Sequence, residues 1–175
     1  MQRAALLLLV CSAAPAMSQG APPAPQSNTD YARHAWREVR TNLLQAATET
    51  PDSLFTFRPA PEVRSFGETL DHIAASEHGY CLMALGERPL GGGAGTGATT
   101  KPAILAALEA SRQVCDGAYG QTDSAAALPA YGGRRTTRLH MLLTNAMHNS
   151  EHYGNLVTYL RLNGIVPPSS RPAAP

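Results

Sequence analysis

The chain has 175 residues, of which 43% are hydrophobic and 15% are charged. This length suits one domain with a core of its own, and this composition argues against a disordered chain. The longest apolar run falls well short of the roughly 20 residues that a membrane-spanning helix needs, which excludes an integral membrane protein.

The first 18 residues have the pattern of a secretory signal peptide. Arg3 supplies a positive charge, residues 4–10 are uninterrupted apolar, and Ala16 and Ser18 are small residues spaced for cleavage. We therefore expect export to the periplasm or the medium. The further expected segments are a Pro/Ala-rich linker, the folded domain and a flexible tail, at residues 19–28, 29–166 and 167–175.

The charge balance of the exported chain excludes electrostatic binding of polyanions. Without Arg3 the basic residues fall from 14 to 13 and equal the 13 acidic ones. A chain with no net charge has no electrostatic attraction to nucleic acid or to an anionic membrane.

Four segments show the apolar periodicity of amphipathic helices, and none shows the alternation of a strand. Asn28 or Thr29 is the predicted N-cap of the first helix, and Ser65 with Glu68 forms a capping box at the second. An all-α four-helix bundle is therefore the expected fold. The predicted helices cover about residues 30–49, 66–85, 101–118 and 136–163.

The connection between helices two and three is unusually long, about fifteen residues with a glycine-rich run at 90–97. Antiparallel neighbours normally need about 2–8 residues. The connection is either a crossover that leaves the two helices parallel or a long loop on an up-down-up-down bundle. Parallel helices would set Cys81 level with Cys115, where export permits a disulfide; the alternative is two buried free thiols.

The histidines carry the candidate chemistry. His148 and His152 are four residues apart in the fourth helix, so their rings share a face one turn apart, which suits two imidazoles on one metal ion. A third ligand has to come from another helix. His72 flanks the apolar face of helix two and is the better candidate, with His34 of helix one as the alternative.

Other polar residues in these helices are expected to lie elsewhere or to support the site. His78 and His140 are expected at the surface, the former near Asp71. Glu77 lies within the apolar face of helix two, where an unpaired charge is costly. It either pairs with an arginine or orients a ligating imidazole.

The five residues from His148 to His152 also read His-x-x-Glu-His, the motif of inverted zinc peptidases. Those enzymes take a further carboxylate ligand from downstream in the chain. No Asp or Glu follows Glu151, so a peptidase is not expected.

Two stretches of the chain form recognisable motifs. The first reads PAPEVRSFGE and then LDHI over 59–73, and the second runs from His148-x3-His152 through YGNLV to GIVPP. Together they resemble the DinB-like family of proposed metalloenzymes. The similarity spans roughly residues 30–169. It implies an up-down-down-up bundle with a glycine-rich crossover, often dimeric, in which a divalent metal is bound by His72, His148 and His152.

The family also suggests an activity. Members with assigned activity include thiol-dependent S-transferases and a thiol-dependent isomerase, whose thiol cofactors are cytosolic, so the signal peptide is a departure. We predict a divalent-metal-dependent enzyme of hydrolase or thiol-transferase type, with a small-molecule substrate at the open coordination positions. A non-catalytic metal-binding or metal-buffering protein is the alternative.

The sequence specifies least about which metal binds and which residues transfer protons. Zinc is expected, with nickel, iron, copper and manganese as alternatives, because imidazole ligands suit several of these ions. Asn155 and Tyr159 share the face of the paired histidines on the helical wheel, and Glu151 lies between these histidines in the sequence. These three are the predicted catalytic residues.

Overall fold

A computed structural model of the protein describes residues 27–89, 95–122 and 125–172. The predicted signal peptide, most of the linker, part of the glycine-rich run and the end of the tail lie outside the described residues. Within those ranges the helices are α1 (Asn28–Glu49), α2 (Phe66–Ala84), α3 (Lys101–Gly120) and α4 (Arg138–Leu162). None of the helices described is long and apolar enough to cross a membrane.

The helix starts follow from side-chain capping. At α2 the predicted capping box is present: Ser65 Oγ accepts from the Glu68 amide at 3.2 Å, and Glu68 accepts from the Ser65 amide at 2.8 Å. At α1 the predicted cap was wrong by one or two residues. Ser27 is the N-cap, and its hydroxyl accepts from the Asp30 amide at 3.1 Å.

A β-hairpin precedes α4, where no strand was expected. Strands β1 (Ala127–Tyr131) and β2 (Arg134–Thr137) pair antiparallel, with Ala127 opposite Thr137. The turn is Gly132-Gly133, with φ of 56° and 75°, and two-residue hairpin turns favour such positive values. Pro129 within a five-residue strand obscured the pattern, since proline normally argues against a strand. The adjacent glycines were the available signal.

Helices α2 and α3 run parallel. Ser111 of α3 donates to Glu77 of α2 at 2.6 Å, and one turn further along both helices Cys115 is bonded to Cys81 with their Cα atoms 5.0 Å apart. The connection between them therefore joins opposite ends of the bundle, as the crossover alternative predicts. Both cysteines are fully buried in the disulfide, which excludes the free-thiol alternative.

Helix α4 runs antiparallel to α2 and parallel to α1. On α4 the contacts with α2 occur in reverse order, with Asn145 beside Cys81 and Asn149 beside Glu77. The first halves of α1 and α4 share one core cluster and their second halves share the other. The bundle is therefore up-down-down-up, which is the topology that the family resemblance implies.

A single buried carboxylate connects all four helices. Glu77 is 0% exposed and pairs with Arg40 Nη1 at 2.6 Å. Trp36 Nε1, Ser111 Oγ and Asn149 Nδ2 donate to the same carboxylate at 2.5, 2.6 and 3.0 Å. The expectation of an arginine partner is confirmed, and the four donors compensate the cost of burying the charge.

The start of the predicted tail lies against the bundle. Residues Pro168–Ser170 form a 3₁₀ turn in which Pro168 is buried. Tyr153 of α4 donates to Ser169 Oγ at 3.0 Å and accepts from the Ser169 amide at 3.0 Å. At least this part of the segment after α4 is held in place.

Candidate metal centre

Three histidine side chains converge where α2 faces α4. His72 lies in the second turn of α2, and His148 and His152 lie one turn apart on α4. The ring centroids are 5.1 Å apart for His72 and His148, 4.7 Å for His72 and His152, and 4.5 Å for His148 and His152. All three residues are half-buried. The structure thus brings together the three residues predicted as ligands.

The arrangement suits a divalent cation. One nitrogen from each ring lies within 4.8 Å of the other two, and Nε2 of His72 is 3.2 Å from Nε2 of His148. Two nitrogens bound at about 2.0–2.1 Å to a tetrahedral cation are about 3.3 Å apart. Within the described residues, no Asp, Glu or Cys joins the three histidines in a larger ligand group. The donor set is therefore three imidazoles from two helices.

Burial favours the neutral form of the two imidazoles of α4. Burial, and after it the neighbouring charges of His148 and His72, lower the pKa of His152 from 6.5 to about 4. Burial is also the main cause that lowers the pKa of His148, followed by the charge of His72. Neutral imidazole is the form that binds metals. At neutral pH protons therefore compete little with a cation for these two ligands.

The sequence profile of the DinB superfamily matches residues 35–156, a span that holds all three histidines. The match covers more than half of the chain. The chain belongs to the DinB superfamily. No curated protein matches it.

The predicted catalytic residues of this DinB-superfamily member lie at different depths. Asn155 is exposed, with its side-chain nitrogen 3.4 Å from Nδ1 of His152. Glu151 is exposed, and its charge raises the pKa of His152 against the effect of burial. Tyr159 is buried, and its hydroxyl donates to the Arg64 carbonyl at 3.0 Å. Asn155 thus contacts the ring of a predicted ligand, whereas the Tyr159 hydroxyl is held by the backbone.

The remaining histidines lie outside the three-histidine group. His140 is exposed, as expected, and its Nδ1 is 2.9 Å from Thr136 Oγ1. His34, the alternative ligand, is exposed and lines an open groove of about 520 Å³ between α1 and the segment after α4. His78 is half-buried, so its expected position at the surface was only partly right.

Asp71, the residue before His72, lies in an unexpected place. Its predicted neighbourhood was the exposed side of α2, but it is 8% exposed and accepts from the amides of Thr96 and Gly97 at 3.1 and 3.2 Å. A side chain at Gly95 would collide with this carboxylate. Asp71 therefore anchors the segment that leads into α3 beside the metal centre. The glycines after residue 90 were the only available signal of such a close approach.

Two polar residues beside the ligands were given no role from the sequence. Asn145 and Asn149 of α4 are both fully buried next to His148. In the sequence, Asn145 lies three residues before His148 and Asn149 directly follows it. The signal available in the sequence was an asparagine three residues before a predicted ligand, which is on the same face of the helix.

Proposed function

We propose that this protein is an exported enzyme that acts on a small-molecule substrate with a divalent cation bound by His72, His148 and His152. The observation that supports this most directly is the convergence of three half-buried imidazoles without a fourth protein ligand among the described residues. Structural zinc sites use four protein ligands, whereas catalytic sites use three and leave a position for water or substrate. The donor set therefore favours catalysis over a structural metal.

The rest of the bundle supports the same distinction. The four helices already share the Glu77 carboxylate, and α2 is bonded to α3 by the disulfide. A fold held in this way does not depend on the cation for assembly. When bound, the cation would act as a Lewis acid toward a substrate oxygen or sulfur. We propose zinc, and elemental analysis distinguishes it from nickel, iron, copper and manganese.

The chain's own residues supply orientation and proton transfer. Asn155, whose amide is 3.4 Å from His152 Nδ1, orients that ring. Glu151 is proposed as the proton acceptor because its carboxylate is exposed beside the two histidines of α4. Tyr159 is held by the Arg64 carbonyl, and we assign it the smaller role of shaping the site.

Hydrolysis is the preferred reaction class. Cys81 and Cys115 are bonded to each other and do not supply a thiol. A transferase would need a thiol from outside, and the cytosolic thiols of related transferases do not suit an exported protein. Disulfides persist in oxidising compartments, which agrees with the signal-peptide pattern at 1–18.

The test is metal analysis followed by assays. Untagged protein is expected to carry one divalent ion per chain, His148→Ala is expected to lose it, and His140→Ala is the matched control. Turnover of esters, amides or thiol conjugates that disappears with His148→Ala would establish the enzyme. Retention of stoichiometric metal by His148→Ala would contradict the site. Tight metal binding without turnover on the whole panel would favour the metal-buffering alternative.

Two further proposals have direct tests. Export is checked by N-terminal sequencing of protein recovered outside the cytoplasm, with cleavage expected after Ser18. The homodimer implied by the family resemblance stays a prediction, which light scattering on the purified protein checks.

A further inference from the structure

Three buried polar atoms on one side of α4 lack a hydrogen-bond partner among the described residues. They are Oδ1 of Asn145, Nδ1 of His148 and Oδ1 of Asn149. Residues spaced by three and four positions in a helix lie on the same side. Buried polar groups without partners are rare and costly, so three within two turns of one helix call for a partner that the described side chains do not supply.

The orientation of both amides is determined by their nitrogen ends. Asn149 Nδ2 donates at 3.0 Å to Glu77, a carboxylate that only accepts. Asn145 Nδ2 donates at 3.2 Å to the Tyr119 hydroxyl, which gives its own proton to the Leu142 carbonyl at 2.7 Å. Neither amide can be reversed without losing these bonds. The two unpartnered amide atoms are therefore oxygens, which only accept.

The imidazole of His148 supplies the matching donor. Its Nε2 faces Nε2 of His72 at 3.2 Å, on the side of the metal centre. When Nε2 binds a cation or accepts a hydrogen bond, the proton of the neutral ring is on Nδ1. The three atoms then comprise one donor and two acceptors. A single water can accept one hydrogen bond and donate two, and buried waters make about three such bonds.

We propose that Asn145 and Asn149 are positioning residues that hold one buried water, and that this water fixes His148 as the Nδ1–H tautomer with Nε2 directed to the cation. The inference rests on the proposed function, since the Nδ1–H tautomer is the one that leaves Nε2 free to bind the proposed cation. It also links the bundle centre to the metal site: Glu77 orients Asn149, and Asn149 acts on His148 through the water.

The test begins with metal-free protein, so that it does not depend on activity. In ¹⁵N-histidine-labelled native protein at pH 7, His148 is expected in the Nδ1–H form alone. Asn145→Leu and Asn149→Leu remove the acceptor oxygens and are expected to raise the Nε2–H population. In Asn149→Leu, Glu77 Oε1 still accepts the hydrogen bond from Trp36, so this oxygen is not left without a partner. If one of the two variants does not fold, the other still tests the proposal.

Metal affinity is the second readout. Each asparagine variant is expected to bind zinc 10- to 100-fold more weakly, which is the usual effect of losing a group that orients a ligand. Ser111→Ala is the matched control, because Ser111 is equally buried and bonds the same Glu77 carboxylate but does not contact His148. It is expected to lower stability while leaving the tautomer and the zinc affinity unchanged.

Several results separate this inference from the proposed function. An Nε2–H form of His148 in the native protein, or asparagine variants that behave as Ser111→Ala does, would overturn it. A high-resolution crystal structure without a water between the three atoms would do the same. A tautomer change in the variants of a protein that binds no metal would support the positioning role and refute the proposed enzyme.

Discussion

His72 and His148 face each other across the interface of two antiparallel helices, with their Nε2 atoms 3.2 Å apart. One belongs to α2 and the other to α4, so a cation bound by both joins two segments that are 76 residues apart in the sequence. Binding to these two atoms requires the folded bundle. The stability of the protein should therefore report on occupancy of the site.

Zinc is expected to stabilise the native protein against heat. A ligand at 100 times its dissociation constant that binds only the folded state adds about 2.7 kcal/mol. Thermal unfolding with zinc and with a chelator measures the difference. His72→Ala should abolish the shift and His140→Ala should keep it, and a full shift in His72→Ala would mean that zinc binds elsewhere.

Replacement of Arg40 at the bundle centre is expected to lower the free energy of unfolding strongly. Arg40→Met leaves Glu77, which is 0% exposed, without its charged partner, and breaking a buried pair in this way costs about 3–5 kcal/mol. Urea unfolding measures the loss. The exposed pair of Arg112 and Glu109 provides the control, and Arg112→Met should leave the urea midpoint almost unchanged. Equal midpoints for the two variants would contradict the central role of Glu77.

Removal of the disulfide is expected to destabilise the fold while sparing the metal centre. The bond between Cys81 and Cys115 closes a span of 34 residues, which the loop-entropy model equates with about 3–4 kcal/mol. The Cys81→Ala/Cys115→Ala double variant should lose that amount in urea and still bind one zinc ion. Alkylation of two thiols in unfolded, unreduced protein would show that the bond is absent.

The capping box at α2 is expected to contribute a pH-dependent stability. The Ser65 amide, followed by Arg58, lowers the pKa of Glu68 from 4.5. Its contribution is therefore complete above that value and is lost as the pH falls through the lower pKa of the folded state. Glu68→Gln should cost less than about 1 kcal/mol at pH 7.

The two unfolding curves should converge at low pH. Glu62→Gln, at an exposed position before the cap, is the control and should follow the native protein at every pH. A constant difference between Glu68→Gln and native protein from pH 7 to pH 3 would contradict the role of the carboxylate.

The convergence of the three histidines could be predicted because their positions on the helix faces depend on local periodicity. Helical spacing placed His148 and His152 on one face, and the edge of the apolar face favoured His72 over His78. The capping box likewise needed only four consecutive residues, from Ser65 to Glu68. These features depend on residues within a single helix, so they can be predicted without knowing how the helices pack.

The supporting residues could not be predicted in this way. Whether Glu77 meets Asn149 or Asp71 meets Thr96 depends on which elements adjoin and in which direction they run. The parallel alignment of α2 and α3 was left open because the length of their connection permits either topology. The hairpin was missed because it is short, although its glycine pair is a specific turn signal.

The carboxylate at residue 77 also bears on how a metal would arrive. Rotation or translation of any one helix would remove a hydrogen bond from the Glu77 carboxylate, which has no access to solvent. Such motions are therefore infrequent. The three rings consequently keep their mutual spacing before an ion enters. Capture should then proceed at nearly the rate of diffusion into the site, without a slow rearrangement of the protein.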